Sequence, residues 1–355
     1  MGLQQLIEKQ WYQDPAARAT GNFRLNLLLW PLALIYRLLS HLRRSAYHYG
    51  WLKSYKLAVP LVIVGNISVG GAGKTPLCKH LAEELSQAGY SVGIILRGYK
   101  GSNRKPRLVS ATDSSQVVGD EALIYAQAGL KVAIGSNRVA AGELLLIEHP
   151  DIQLIIADDG LQHYRLQRDL EICVVDSTRL FGNCQLLPLG PLRENLARLK
   201  SIDAIVVNGS SNAAAQIKLW SKLTQPIYQQ RLIFQRFYNP KTTQTASLTE
   251  LNQRNCQAIA AIGNPQRFFN YLQQLGLKTQ HDQAFPDHYH YQLTDINPNC
   301  AIITTEKDYT KLAQFDLANI WVTQVAAQLN NDQLLTTIKN LIPASPTRLG
   351  GSLVS

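Results

Sequence analysis

The chain has 355 residues, of which 46% are apolar and 17% charged, with 23 Gly and 15 Pro. That is enough for a buried core and for two domains, and it excludes a disordered, collagen-like or low-complexity chain. The formal charge of +10 is uneven: residues 1–60 hold eight Lys/Arg against two acids, which points to an anionic partner at this end, a nucleic acid or a membrane surface.

At the start there is no basic stretch followed by an apolar run and a small-residue cleavage site, so no secretory signal is expected. Five cysteines (Cys78, Cys173, Cys184, Cys256, Cys300) are scattered without a C-x-x-C pair. That pattern argues against a disulfide framework or a zinc cage and suits a reducing cytosol. Asn22 to Arg44 reads NFRLNLLLWPLALIYRLLSHLRR, and its uncharged run Leu25–Tyr36 is 12 residues, short of the roughly 20 that span a bilayer. Trp30 and Tyr36 lie in the run, and Arg24, Arg37, Arg43 and Arg44 flank it. A helix in the headgroup plane has this composition. An ordinary amphipathic core helix also fits, but the local charge excess favours the membrane. Pro31 is expected to kink the helix or to begin a second one.

From Ala58 short apolar runs alternate with helical stretches. VPLVIVG (59–65) is followed by a helix from Thr75 to Ala88 and by YSVGIIL (90–96). Further strands are predicted at LKVAIG (130–135), IQLIIAD (152–158), LEICVVD (170–176) and IDAIVVN (202–208). Near-continuous β-branched runs between helices indicate a parallel sheet buried on both faces, hence a doubly wound α/β fold. The polar stretch 231–247, with its Pro and Thr residues, reads as a linker. A smaller αβ unit follows: CQAIAAIG (256–263), a helix from Pro265 to Leu275, AIITTEK (301–307) and IWVTQV (320–325). The expected division is an N-terminal segment 1–57, a core 58–230, the linker, a small αβ domain 248–328, and a C-terminal helix with a frayed tail, 329–355, returning to the core.

After the first strand comes Asn66-Ile67-Ser68-Val69-Gly70-Gly71-Ala72-Gly73-Lys74-Thr75, and then a helix. Glycines let backbone N–H groups curl around phosphate oxygens, and the helix dipole favours the anion. Lys74 would reach the β- and γ-phosphates and Thr75 would ligate Mg²⁺. The strict G-x-x-x-x-G-K-[ST] pattern is broken by Ser68 in place of its first Gly. Asp158-Asp159-Gly160 closes the strand IQLIIA, the position of the metal-coordinating acid in nucleotide triphosphatases. A β-turn also accounts for D-G. Adjacent side chains on an extended strand point apart, so the two Asp should have different tasks.

Together with VGNISVGGAGKTP (64–76), LRGY (96–99), GDEALIY (119–125), DDGLQHYRL (158–166), FGNCQLLPLGPLRE (181–194), LKSIDAIVVNG (199–209), AIGNPQRFF (261–269), FPDHY (285–289) and TTEKD (304–308), the chain resembles the tetraacyldisaccharide 4'-kinases of lipid A synthesis over roughly Trp11 to Leu341. The resemblance implies a P-loop kinase fold with ATP and Mg²⁺. The γ-phosphoryl group would pass to the 4'-hydroxyl of an acylated disaccharide 1-phosphate, giving the lipid A precursor lipid IVA. It also implies a monotopic enzyme at the cytoplasmic face of the inner membrane, docked through residues 22–44, with no obligate protein partner evident.

By resemblance Asp120 is the proton acceptor, supported by His288. From the residues alone Asp120 reads as a helix N-cap and Asp287-His288 as a surface turn. Thr75, Asp158, Asp159 and Glu121 are the candidate metal ligands. Arg97, Tyr99, Arg138, Gln162 and His163 are the candidate substrate contacts, where a bidentate Arg fork suits phosphate oxygens; each Arg reads equally as a surface charge. Thr305–Asp308 resembles a base-reading motif of GTP-binding proteins, but GTP is not inferred. No hydrolase triad, glycosidase carboxylate pair or H-E-x-x-H is apparent, and aromatics do not interleave with Lys/Arg, so nucleic-acid binding is not supported. The competing reading is a P-loop nucleotide switch that gates a protein partner.

Overall fold

The computed structural model describes residues 7, 10–12, 23–103, 105–209, 213, 217, 223–287 and 289–343. Most of the expected frayed tail lies outside these. In chain order the elements are helix α1 (Phe23–His48), strand β1 (Leu61–Gly65), α2 (Lys74–Gln87), β2 (Val92–Leu96), β3 (Arg107–Leu108), α3 (Ser115–Val118), α4 (Asp120–Gln127), β4 (Lys131–Ile134) and α5 (Arg138–Glu148). Strands β5 (Leu154–Asp158), β6 (Leu170–Asp176), β7 (Ala204–Asn208), β8 (Ile227–Tyr238) and β9 (Thr245–Ala246) follow. The rest are α6 (Leu248–Asn252), β10 (Cys256–Ala260), α7 (Pro265–Gln274), β11 (His281–Ala284), β12 (Ala301–Thr305), α8 (Glu306–Leu312), β13 (Ile320–Leu329) and α9 (Gln333–Lys339).

All strands join one sheet in the order β11-β10-β12-β13-β8-β7-β6-β1-β5-β2-β4-β3, with β9 on the side of β8. Alternate residues of one strand enter opposite cores, as the period-two pleat requires. Val62 and Val64 pack with Leu77, Leu81 and Leu85 of α2, while Leu61 and Ile63 face Leu145 of α5 and Leu161. The sheet is therefore covered on both faces. Beyond β13 the same alternation places Ala258 and Ala260 against Phe268 and Leu272 of α7, and Ile259 against Tyr291 and Leu312.

The expected linker is corrected over 231–238, which belongs to the twelve-residue β8. β8 runs parallel to β7 and antiparallel to β13, from Tyr238↔Val322 to Gln230↔Leu329, with an irregularity between Gln324 and Val325. Its pattern misleads because much of its middle is exposed. This ladder joins two parallel half-sheets, β7-β6-β1-β5-β2-β4 and β10-β12-β13. Helix α9 then packs on the first of them, where Leu334, Leu335 and Ile338 join the core beside Leu81.

Helix α1 runs unbroken through Pro31, which neither ends it nor begins a second helix. Pro31 occupies an exposed position, so its ring displaces no neighbouring element. Leu29 and Ala33 are buried, and Tyr36 donates a 2.9 Å hydrogen bond to the carbonyl of Arg193. Along the rest of its surface Leu27, Leu28, Trp30, Leu32, Leu34, Ile35, Leu38, Leu39 and Leu42 are exposed, Leu28 to 68%. This is the inverse of a core helix. No helix among the described residues is long and apolar enough to cross a membrane.

Ile338 is fully buried, so Ile338→Ala should cost about 2–5 kcal/mol, seen as a lower urea midpoint with an unchanged slope. An unaltered midpoint would show that α9 is not part of the cooperative core.

Candidate active site

The floor of the site follows from strand register. β1 pairs with β5 so that Val64 stands opposite Asp158, and both strands end at the same sheet edge, where open α/β sheets bind ligands. The chain leaves β1 through Asn66–Gly73 and enters α2 at Lys74. Left-handed backbone falls at Gly70 (φ 109°) and Gly73 (φ 90°) and not at Ser68, so a Cβ at position 68 carries no conformational penalty. Gly73 has no such latitude: a Cβ there would lie 1.9 Å from Asn208 Nδ2, which donates to the Ala72 carbonyl at 2.9 Å. No side chain caps α2 at Gly73, so its first turn can offer N–H groups to an anion. Above it lies a cleft of about 1270 Å³, walled by the phosphate loop, α7 and the β8–β13 ladder.

The two adjacent aspartates diverge, and the left-handed backbone of Asp159 (φ 51°) rather than an extended pleat separates them. Asp159 Oδ1 lies 3.3 Å from Lys74 Nζ, and both carboxylate oxygens accept from Arg193 Nη1 at 3.0 Å. Lys74 also donates to Asn66 Oδ1 at 3.3 Å. Burial opposes the charge on Asp159, but Lys74, Arg193 and Arg138 outweigh it and hold the carboxyl well below the usual carboxylate range. Asp158 is buried; its Oδ2 accepts from Tyr125 Oη at 2.6 Å and Thr75 Oγ1 at 3.4 Å. Burial, and then the charge of Glu121, push its carboxyl up to about 6. Its Oδ1 accepts no hydrogen bond from the described residues. A buried, orphaned carboxylate oxygen beside a threonine hydroxyl is a donor set that suits a hard cation. The described residues contain no three-ligand His/Cys/Asp/Glu cluster, but Mg²⁺ in phosphoryl-transfer sites commonly takes only one or two carboxylates.

The acids Asp120 and Glu121 occupy the first turn of α4. The N-cap is Gly119, so Asp120 is not the capping residue that its sequence suggests. Each acid meets a lysine of α8: Lys311 Nζ lies 3.5 Å from Asp120 Oδ2, and Lys307 Nζ 3.6 Å from Glu121 Oε1. Lys307 is also 3.6 Å from Asp287, and Lys311 is 3.3 Å from the buried Asp308. Burial pulls the Lys307 pKa down, but Glu121, Asp287, Asp120 and Asp308 outweigh it and keep the group above the ordinary lysine value. Within the motif at 305–308, Lys307 thus pairs with Glu121 and Asp287, while Glu306 pairs with Lys79 of α2 at 3.5 Å. His288 lies outside the described residues.

The expected substrate contacts separate into two sets. Arg97 and Tyr99 are exposed beyond β2. Arg138 is buried, contrary to a surface charge, and donates to the Asp159 carbonyl at 2.8 Å. Gln162 donates to the Asn66 carbonyl (3.1 Å) and to Glu194 Oε1 (2.8 Å), tying the phosphate loop to the 192–194 turn. The structure therefore places Arg138 and Gln162 as braces of the floor. His163 is half-buried, and its Nε2 has no hydrogen-bond partner among the described residues. Burial first, and then Arg138, Arg168, Arg43 and Arg165, push its imidazole down to about 4.

Comparison with known proteins decides the family. The family described as tetraacyldisaccharide-1-P 4'-kinase matches residues 25–343. The chain belongs to that family. Tetraacyldisaccharide 4'-kinases of Methylobacillus flagellatus and Chromobacterium violaceum are 40% and 41% identical to it over 328 and 340 residues. These alignments cover 91% and 92% of this chain and 92% and 95% of the relatives. The crystal structure of LpxK from Aquifex aeolicus in complex with ATP superposes with a TM-score of 0.76 at 29% identity, covering 90% of this chain and 99% of that one.

Several residues of this tetraacyldisaccharide 4'-kinase family member brace the site although sequence reasoning did not name them; Arg193 and Arg267 lie within segments 181–194 and 261–269 that carry the family resemblance, whereas Gln230 has no such signal. Arg193 pairs with Asp159 across a loop. Arg267 of α7 donates to Asp176 Oδ2 and Asn208 Oδ1, each at 2.9 Å, and so reaches the amide that holds Ala72. Gln230 of β8 donates to the Gly73 carbonyl at 3.2 Å. Only the fold brings them together.

A histidine neutral in the folded state and near 6.5 when unfolded makes the unfolded chain bind more protons between those values, so stability falls as pH drops through that window. For His163 the window runs from about 6.5 down to about 4. Urea midpoints measured between pH 7 and pH 4.5 should fall less steeply for His163→Gln than for the wild type. Parallel profiles would show that His163 is not held neutral.

Proposed function

We propose that this chain is an ATP-dependent kinase that transfers the γ-phosphoryl group to the 4'-hydroxyl of a tetraacyldisaccharide 1-phosphate, the reaction for which its family is named. The observation that carries it is the convergence of Lys74 and Thr75, at an uncapped helix start, with Asp158 and Asp159, beside a cleft that Lys74, Thr75 and Glu121 line. Phosphoryl transfer is largely positioning and charge neutralisation. Backbone N–H groups of 70–75 hold the phosphates, and Lys74, aligned by Asp159 and Asn66, bears on the β- and γ-oxygens. Thr75 and Asp158, with Glu121 nearby, would hold Mg²⁺, which when bound shares the charge of those oxygens. Asp120, paired with Lys311, accepts the proton of the attacking hydroxyl, and His288 supports it. Arg97 and Tyr99, exposed after β2, are the acceptor contacts.

The second part of the reading is the place of work. The outward apolar surface of α1, flanked by Arg37, Arg43 and Arg44, lies on an acidic membrane surface, the cytoplasmic face of the inner membrane, from which an acylated acceptor is reached. The core 58–230 and the small unit 248–328 act as two domains about the β8–β13 ladder. A nucleotide-switch reading leaves both this surface and the acids of α4 without a task.

An assay in mixed micelles or vesicles with labelled ATP, Mg²⁺ and a tetraacyldisaccharide 1-phosphate tests the chemistry. Label should appear at the 4' position, and Asp120→Ala should lower the rate by about 100-fold or more while ATP still binds. ATP hydrolysis without lipid labelling would return the switch reading. For the membrane, Ser at Leu28, Leu32, Ile35 and Leu39 together should weaken co-sedimentation with anionic vesicles by about tenfold or more, with the unfolding midpoint little changed. Undiminished co-sedimentation would remove α1 from the membrane contact.

A further inference from the structure

The two lysines of α8 stand four residues apart and clasp neighbouring acids, yet they differ in what they face. Lys311 is buried and lies within 3.3 Å of Asp308 and 3.5 Å of Asp120. Lys307 instead lines the cleft with Lys74, Thr75, Glu121 and Gly263. Carboxylate oxygens of Glu121 and Asp287 each stand 3.6 Å from its Nζ, the distance of ion pairing.

We propose that Lys307 is a second phosphate-binding cation of the transfer site, supplied by the C-terminal half-sheet to the γ-phosphoryl group of the bound nucleotide. The proposal rests on the kinase reading of the same cleft. Lys74 is aligned from one side by Asp159 and Asn66. A phosphoryl group in transit spreads charge over three equatorial oxygens, which need positive charge from more than one direction. Lys307 comes from the other half of the sheet and pairs with Glu121, the residue that follows Asp120 in the chain. Its helix start is fixed: Thr305 Oγ1 accepts from Asp308 N at 3.1 Å and donates to Asp308 Oδ2 at 2.8 Å. A γ-phosphate oxygen would take the place of the carboxylates around Lys307, whereas ADP has no atom to offer there.

The discriminating measurement is the affinity for ATP against that for ADP, by calorimetry on the full chain. Lys307→Met should weaken ATP binding by about tenfold or more, the scale of one charge-assisted phosphate contact, and ADP binding by less than about twofold. Lys307→Arg should restore most of the preference, and Lys74→Met should weaken both nucleotides. Equal losses for ATP and ADP, or none, in Lys307→Met would overturn the proposal. Should that variant fail to fold, amine-reactive labelling of the wild type read by mass spectrometry decides: ATP should protect Lys307 and ADP should not, and equal protection by both, or none, would overturn it. A wild type that binds ATP but leaves the lipid unlabelled removes the kinase reading and leaves the ATP–ADP comparison to judge Lys307. An active wild type with an unchanged comparison removes Lys307 alone.

Discussion

One antiparallel ladder, β8 against β13, sets the relation between everything else in the molecule. Each half-sheet is parallel and buried on both faces, and each could be covered by its own helices without the other. Pairing β8 with β13 makes them one surface and delivers α7 and α8 to the edge where β1 and β5 end. The cleft is therefore a by-product of sheet continuity. Its walls come from both halves, and the polar middle of β8 is what the cleft needs from a strand that would otherwise be core.

On the floor of that cleft the chain solves an electrostatic problem that it creates itself. Five carboxylates, Asp120, Glu121, Asp158, Asp159 and Asp287, belong to this region, and left alone they would repel both one another and any phosphate. The cations that balance them come from separate places: Lys74 from the phosphate loop, Arg193 from the turn after β6, Lys307 and Lys311 from α8. Of these five, only Asp158 keeps a buried oxygen with no hydrogen-bond partner among the described residues, and its carboxyl is raised while that of its neighbour Asp159 is depressed. Two adjacent groups of the same type are thus given opposite tendencies by burial and by the charges each can reach.

The half-sheet of the phosphate loop is legible in the sequence because its strands are short β-branched runs with a single reading. Strand β8 was not, since RLIFQRFY carries polar residues where it faces the cleft, and tertiary pairing overrides that local polarity. The loop and Asp158-Asp159 could be found from spacing because their partners lie at strand ends in register. The clasp of Asp120 by Lys311, and the reach of Arg267 to Asn208, join residues far apart in the chain; no periodicity encodes them, and they follow only from where the ladder puts α7 and α8. Asp159 shows the limit of pleat reasoning, since a single left-handed residue, not strand alternation, turned its side chain away.

Gly71 and Gly263 bring the phosphate loop and the turn after β10 so close that a Cβ on Gly263 would lie 2.6 Å from the Gly71 nitrogen. That seam is backbone against backbone, with no side chain to rotate out of the way. Its width is consequently a backbone quantity: it can open only if one of the two loops, or the half-sheet that carries it, moves. Adding a methyl group at position 263 would act as a wedge, shifting the rest position of one half against the other while leaving every polar group of the site chemically intact. The spacing across the cleft is in that sense a mechanical setting of the chain, adjustable at a residue that has no functional group at all.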